Sequence, residues 1–217
     1  AGGPRATRPA PETRRGLVFE SHPRRCNLAC RHCYSDSDAR RHPEMTGEQG
    51  AAMLADIAAF GAPALLMSGG EPLLRPDVFE MIEEARALGL PVTLSSNGTL
   101  VRPRVARRLA ALGVRYVGVS FDGLGAVHDA FRGRRGAFDR SLAGIRALRS
   151  AGVRAGVRVT LSEAAIASLP ELFALVEREG VGRICFYHLV PAGRGSGQAP
   201  ARAVEIRAAV EAIFERS

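Results

Sequence analysis

A chain of 217 residues has room for one domain, with or without a tail, and 46% hydrophobic residues supply a sizeable core. No apolar run approaches the ~20 residues of a transmembrane helix, so no membrane partner is expected. The net charge of +8 rests on arginine alone, and its scatter over helices, with 6% aromatics, argues against nucleic acid and for an anionic small molecule.

Residues 1–15 hold Pro4, Pro9 and Pro11 among arginines, with little to bury, and are expected to be a disordered lead. The N-terminus has no apolar stretch of the kind a secretory signal needs. Three clustered cysteines and a distant fourth do not read as a disulfide framework, so a reducing cytoplasm is expected. Gly16–Ser21 is a short apolar run and a candidate first strand. The loop Cys26-Asn27-Leu28-Ala29-Cys30-Arg31-His32-Cys33 follows, and residues 35–44 read as polar loop. Thr46 and Gln49 are spaced as a capping box that opens a helix to about Phe60.

A rhythm then sets in. Ala64–Ser68 is apolar and ends in Gly69-Gly70-Glu71-Pro72. Asp77–Leu88 is amphipathic, Pro91–Ser96 is strand-like and ends in Asn97-Gly98, and Pro103–Leu112 is helical. Tyr116–Phe121 is strand-like and ends in Asp122-Gly123; an extra segment, 124–136, precedes a helix over 137–150. Val153–Leu161 is a strand, Pro170–Glu179 a helix and Arg183–Val190 a strand ending in Pro191-Ala192-Gly193-Arg194-Gly195. A sixth helix starts at about Ala201. Gly61, Gly89, Gly113, Gly152 and Gly180 each end a helical pattern before an apolar run, as C′ glycines do. Alternating strands and helices imply crossover units and a parallel sheet. Six such units give an α/β fold, a partial (βα)6 TIM-like barrel. Cys26–Cys33, GGEP, SSNG, SFDG and the final PAGRG all fall at the C-terminal ends of strands, where such folds do chemistry.

Three thiolates spaced C-x3-C-x2-C suit an iron–sulfur cluster or, with His22, His32 or His42 as a fourth ligand, zinc. Beyond that, C-x3-C-x2-C after the first strand with GGEP after the second resembles the radical S-adenosylmethionine (SAM) enzymes, over about residues 17–200. The resemblance implies that Cys26, Cys30 and Cys33 bind a [4Fe–4S] cluster whose fourth iron chelates SAM. It implies a 5′-deoxyadenosyl radical that abstracts hydrogen from substrate. His32 takes the place of an aromatic residue near the adenine. Gly69, Gly70 and Glu71 would hold the methionine amino group, largely through backbone. Ser96, Asn97 and Ser120 match positions at the ribose or methionine carboxylate, Arg158 is a candidate for that carboxylate, and Val190 matches a position lining the adenine.

Within the family, SNG, S-x-D-G and the closing YHLVPAGRG resemble the branch with a cysteine-rich C-terminal extension, and most of all its heme d1 and alternative haem biosynthesis members. This implies a carboxylated tetrapyrrole substrate attacked at a propionate. Arg132, Arg134, Arg135 and Arg194 would pair with its carboxylates, and His188 is a further substrate candidate. A flavodoxin or ferredoxin would supply electrons. Residues 16–217 are expected to form the core domain alone, without the auxiliary-cluster domain. Cys185, in an apolar run, is expected in the core. The alternatives are a peptide or protein maturase of the same family, and a non-enzymatic zinc or cluster-binding module.

Overall fold

The computed structural model describes residues 17–20 and 24–216. The disordered lead expected over residues 1–15, and His22, lie outside the described residues. Six strands form one parallel sheet in sequential order: β1 (Leu17–Glu20), β2 (Leu65–Ser68), β3 (Val92–Ser96), β4 (Tyr116–Ser120), β5 (Arg154–Leu161) and β6 (Ile184–His188). Among the described residues no pairing joins β6 back to β1, so the sheet is an open arc.

The helices are α1 (Gly47–Ala59), α2 (Val78–Ala87), α3 (Pro103–Ala111), α4 (Gly125–Arg132), α5 (Ala137–Ser150), α6 (Glu163–Ala167), α7 (Leu169–Arg178) and α8 (Ala203–Phe214). Thr46 makes the expected capping box: its hydroxyl accepts from Gln49 N, and the Gln49 side chain accepts from Thr46 N. The five joint glycines sit at φ 59–80°, the left-handed conformation that stops a helix before each strand.

Six helices were expected, and the described residues hold eight. Segment 124–136, read only as an insertion, carries α4. The helix expected over Pro170–Glu179 is preceded by a short one, α6, capped by the Ser162 hydroxyl, which accepts from Ala165 N at 3.2 Å. Pro170 has no N–H and opens a helix better than it continues one, so the chain restarts at Leu169.

Strand parity separates the two faces of the sheet. Leu65, Met67, Val92, Leu94, Val117, Val119, Val157 and Val159 are fully buried against Leu54, Ile82, Leu109, Ile145, Leu148 and Leu172 of the helices. Each such side chain contributes roughly 1.5–3 kcal/mol by leaving water. The other face carries Thr93, Ser95, Tyr116, Gly118, Ser120, Gly156, Arg158 and Thr160. A closed barrel fills this space with branched aliphatics. Glycines and polar side chains leave it open here.

Candidate active site

The cysteine loop is gripped from three sides. Its entry is pinned by Cys26 N donating to Asp38 O at 2.6 Å, and by Glu71 N donating to Arg25 O at 3.0 Å. From below, α4 offers its last carbonyls: Ala29 N donates to Arg132 O at 3.2 Å and Arg31 N to Phe131 O at 2.9 Å. At Gly133 a Cβ would stand 2.5 Å from Ala29 O, so the loop rests where a side chain would be. From the far end of the sheet, Arg194 donates through Nε to Cys30 O at 2.9 Å, through Nη2 to Ser37 O at 2.7 Å and through Nη1 to Asp36 at 2.7 Å. Its own N donates to Cys33 O at 3.0 Å. A Cβ at Gly193 would stand 2.5 Å from Cys33 O.

Cys26 and Cys30 are buried with Leu28 and Ala137, and Cys33 packs on them. Every sulfur has N–H donors. Leu28 N lies 3.5 Å and Asn97 Nδ2 3.8 Å from Cys26 Sγ; Arg132 Nη1 lies 3.6 Å from Cys30 Sγ; Ser37 N lies 3.3 Å from Cys33 Sγ. Burial pushes the Cys26 thiol up to about 12 and raises that of Cys30, which Arg132 partly offsets. The sulfurs face a cavity of about 500 Å³ walled by the ends of β2 to β6.

Arg132 is held by chemistry inside the fourth unit. It is ion-paired with Asp122, which is fully buried and accepts from Thr160 N at 2.7 Å. Asp122 N donates to His128 Nδ1 at 3.3 Å, and burial holds His128 down to about 4, so it is a neutral acceptor at pH 7. Desolvation works against the Arg132 cation, but Asp122 and the Cys30 sulfur raise its affinity for the proton. The SFDG aspartate therefore anchors an arginine beside the cysteines.

Of the residues expected at the site, Gly69, Gly70, Ser120, Arg158 and Val190 line the cavity, Val190 at its exposed rim. His32 lines it too. Its ring stacks on Phe131 at 4.6 Å and 14°, burial takes it down to about 4, and Nδ1 has no hydrogen-bond partner. His188 reaches the cavity from the end of β6.

The side chains of six expected residues are engaged with the protein itself, although Ser96, Asn97, Arg132 and Arg194 also border the cavity. Glu71 is fully buried behind the wall; its carboxylate accepts from Ser96 Oγ and Asn97 N, both at 2.8 Å, and from Leu73 N at 3.3 Å. Burial pushes that carboxyl up to about 7 despite these donors. Ser96 is turned towards Glu71 because it shares the helix-facing parity of Val92 and Leu94, and Ser95 is the hydroxyl of the inner face. Arg194, expected to pair with substrate carboxylates, has one guanidinium nitrogen on the cysteine loop and two on the polar loop that follows it. Arg132 and Arg134, expected beside it, are likewise engaged, the latter with Asn27 O at 2.8 Å. Asn97 donates to Asn27 Oδ1 at 2.9 Å and accepts from Thr99, so its amide joins the third strand end to the cysteine loop.

Cys185 is half-buried and borders the inner face, not the core, because its parity matches Tyr187 and opposes Ile184 and Phe186. Sequence reasoning missed Ser68, Ser95, Thr160 and Tyr187 on the cavity wall. The alternation of each strand, once one buried position is assigned, would have found them.

The donor set fits an iron–sulfur cluster. Three sulfurs share one cavity, each with N–H donors of the kind that stabilise cluster thiolates. Among the described residues no group of three or more His, Cys, Asp or Glu closes round a single ion. The two described histidines considered for zinc are engaged elsewhere, His32 with Phe131 and His42 with Asp38.

Comparison with known proteins agrees with this geometry. A profile of the radical SAM superfamily matches residues 21–163. An Fe-coproporphyrin III synthase of Methanosarcina barkeri is 42% identical over 204 residues, covering 93% of this chain and 51% of that protein. A pre-heme d1 synthase of Dinoroseobacter shibae is 46% identical over 194 residues, covering 89% of this chain and 47% of that protein. The chain thus spans about half the length of these curated relatives. The crystal structure of Streptococcus suis SuiB bound to S-adenosylmethionine superposes with a TM-score of 0.80 over 92% of this chain and 47% of that one, at 15% identity, a likeness of fold. Profile and identities together establish that the chain belongs to the radical SAM superfamily.

Proposed function

We propose that this chain is an enzyme that uses a [4Fe–4S] cluster and SAM to modify propionate side chains of a tetrapyrrole in heme d1 or alternative haem biosynthesis. The observation that carries the reading is the convergence of three donor-bonded cysteine sulfurs with the ends of β2 to β6 on one cavity, in a chain 42% and 46% identical to two haem-pathway synthases. Held by Cys26, Cys30 and Cys33, the cluster would supply the reducing electron for SAM cleavage and so the radical chemistry that takes hydrogen from a C–H bond.

The chain's own residues bind, orient and exclude water. Cys26, Cys30 and Cys33 would hold the cluster as thiolates, so loading releases protons, among them those of Cys26 and Cys30, whose thiols burial keeps neutral. Gly69 and Gly70 leave backbone exposed on the wall for the methionine amino group. Glu71 fixes that wall to β3 through Ser96 and Asn97. Ser120 and Arg158, opposite each other across β4 and β5, offer a hydroxyl and a guanidinium to the carboxylate or ribose. His32, Val190 and the rim at His188 provide an apolar and aromatic border for adenine and substrate.

An external one-electron carrier such as a flavodoxin or ferredoxin completes the scheme. No helix of the described residues is long and apolar enough to cross a membrane. All four cysteines are free, which supports a reducing cytoplasm.

Anaerobic reconstitution tests the reading. The loaded chain is expected to hold about four irons and to convert SAM to 5′-deoxyadenosine on reduction, and Cys30→Ala to lose both. A colourless zinc protein without cleavage would sink it. Incubation with didecarboxysirohaem against a candidate peptide separates the tetrapyrrole reading from a peptide maturase.

A further inference from the structure

The open half-barrel has a second chamber, of whose arginines the proposed chemistry uses Arg158 alone. It lies at the N-terminal ends of the strands, away from Cys26, Cys30 and Cys33 but bordered by Cys185, with a volume of about 740 Å³. Arg115, Arg149, Arg154, Arg158 and Arg183 line it, and no Asp or Glu does. Among the described residues none of the five forms an ion pair. Arg149 donates to Glu179 O and Arg154 Nε to Arg115 O. Arg158 lies 4.5 Å from the centre of the Tyr187 ring and Arg183 5.4 Å from that of Tyr116. Aromatic faces and carbonyls meet these cations, but no anion does.

Arg115, Arg149, Arg154 and Arg183 are exposed around the mouth of the chamber, Arg158 is half-buried in it, and its floor is built into the sheet. A Cβ at Gly156 would stand 2.1 Å from the Tyr116 hydroxyl oxygen, and one at Gly118 would stand 2.6 Å from Arg158 Cδ. Two inward-facing glycines thus let a tyrosine and an arginine lie flat across the strands. The Tyr116 hydroxyl is buried beside the Cys185 thiol. Leu66, Arg158 and Tyr187 border both this chamber and the cavity at the cysteines. Along β4 the two ends, Tyr116 and Ser120, are separated by roughly 13 Å at about 3.3 Å per residue.

Clustered guanidinium groups without counter-charge repel one another, and an anion in their midst relieves that cost. Their planar forks match carboxylates in particular. We propose that this chamber is a carboxylate site, and that it takes carboxylates of the substrate while another part of the same molecule reaches the cysteine-side cavity. The inference rests on the tetrapyrrole reading: a macrocycle with carboxylates on several sides can engage both ends of the half-barrel at once.

The test uses the triple variant Arg115→Gln/Arg154→Gln/Arg183→Gln, whose three positions are exposed and lie outside the cysteine-side site. Absorbance titration gives the Kd for iron coproporphyrin III and for its methyl ester, and titration calorimetry gives that for benzene-1,3,5-tricarboxylate directly. Melting temperature and substrate-free SAM cleavage serve as controls that should not move. The expected result is a Kd at least tenfold weaker in the variant, a shallower salt dependence, and weak binding of the ester to both proteins. Equal affinity of wild type and variant overturns the chamber and leaves the tetrapyrrole reading standing. A wild-type chain that binds the tricarboxylate but no porphyrin overturns the link to substrate, and the tetrapyrrole reading falls with it.

Discussion

Arg132 is buried, ion-paired with a fully buried aspartate and still within 3.6 Å of Cys30 Sγ. Removing one member of such a pair strands the other charge, at a cost of about 3–5 kcal/mol. Urea unfolding of Arg132→Met is expected to show a loss of that order, and Asp122→Asn/Arg132→Met to recover part of it; a double variant as unstable as the single would refute the pairing argument. His128, beside Asp122, carries a pH signature. Its folded value of about 4 lies below the ordinary 6.5, so its stabilisation is complete above 6.5 and is lost as pH falls from there through 4. His32 acts in the same sense and window. Glu71, raised to about 7 by burial, acts oppositely between 4.5 and 7. Two groups outweigh one, so stability should fall on acidification from pH 6.5 to 4. His128→Asn, which keeps an acceptor for Asp122 N, should flatten that slope by on the order of 2–3 kcal/mol; an unchanged slope would count against it.

At the scale of elements, α4 is the piece that turns a cysteine motif into a seated loop. Its terminal carbonyls, Phe131 under His32 and Arg132 at Cys30 all come from a segment that interrupts the regular spacing of the units. Gly133→Ala is therefore expected to displace the loop, because its Cβ would meet Ala29 O at 2.5 Å at a φ of +67°. Amide exchange should quicken over residues 26–33 and iron loading should drop, with the sheet unaffected; exchange like wild type would mean that the platform is dispensable. Much of this level was legible in advance. The joint glycines, the capping box and the order of six strands follow from local rules, because φ and capping preferences act within a few residues. Helix α4 was not, since eight residues with no capping side chain give no start signal; it is held by what it touches. Ser96 was expected at the ribose or carboxylate from the resemblance; it borders the cavity, but the burial of Val92 and Leu94 marks its parity as helix-facing, and Ser95 is the hydroxyl that faces inward.

Across the whole molecule, Arg194 closes the architecture. It joins the loop after β6 to the cysteine loop after β1, through Cys30 O, Ser37 O and Asp36. Among the described residues no hydrogen-bonded seam joins β6 to β1, so this tie stands where a closed barrel would have one. Arg194→Ala is expected to cost about 1–2 kcal/mol from lost hydrogen bonds and to lower cluster retention more than it lowers the melting temperature. Retention like wild type, measured as iron kept through gel filtration, would argue that the first loop holds itself.

By itself, the sequence determined the family, the six-unit parallel α/β plan and the edge of the sheet at which the cysteines lie, because those depend on local spacing, chain periodicity and turn residues. Tertiary structure decided which polar residues are tools and which are struts. Glu71, Asp122, Arg132 and Arg194 have the residue types of catalytic or substrate-binding groups, yet their hydrogen bonds to segments 25–164 residues away in the chain commit them to holding the cysteine loop and its wall. A charged side chain has no fixed partner until packing brings one within reach and removes the water that would otherwise satisfy it.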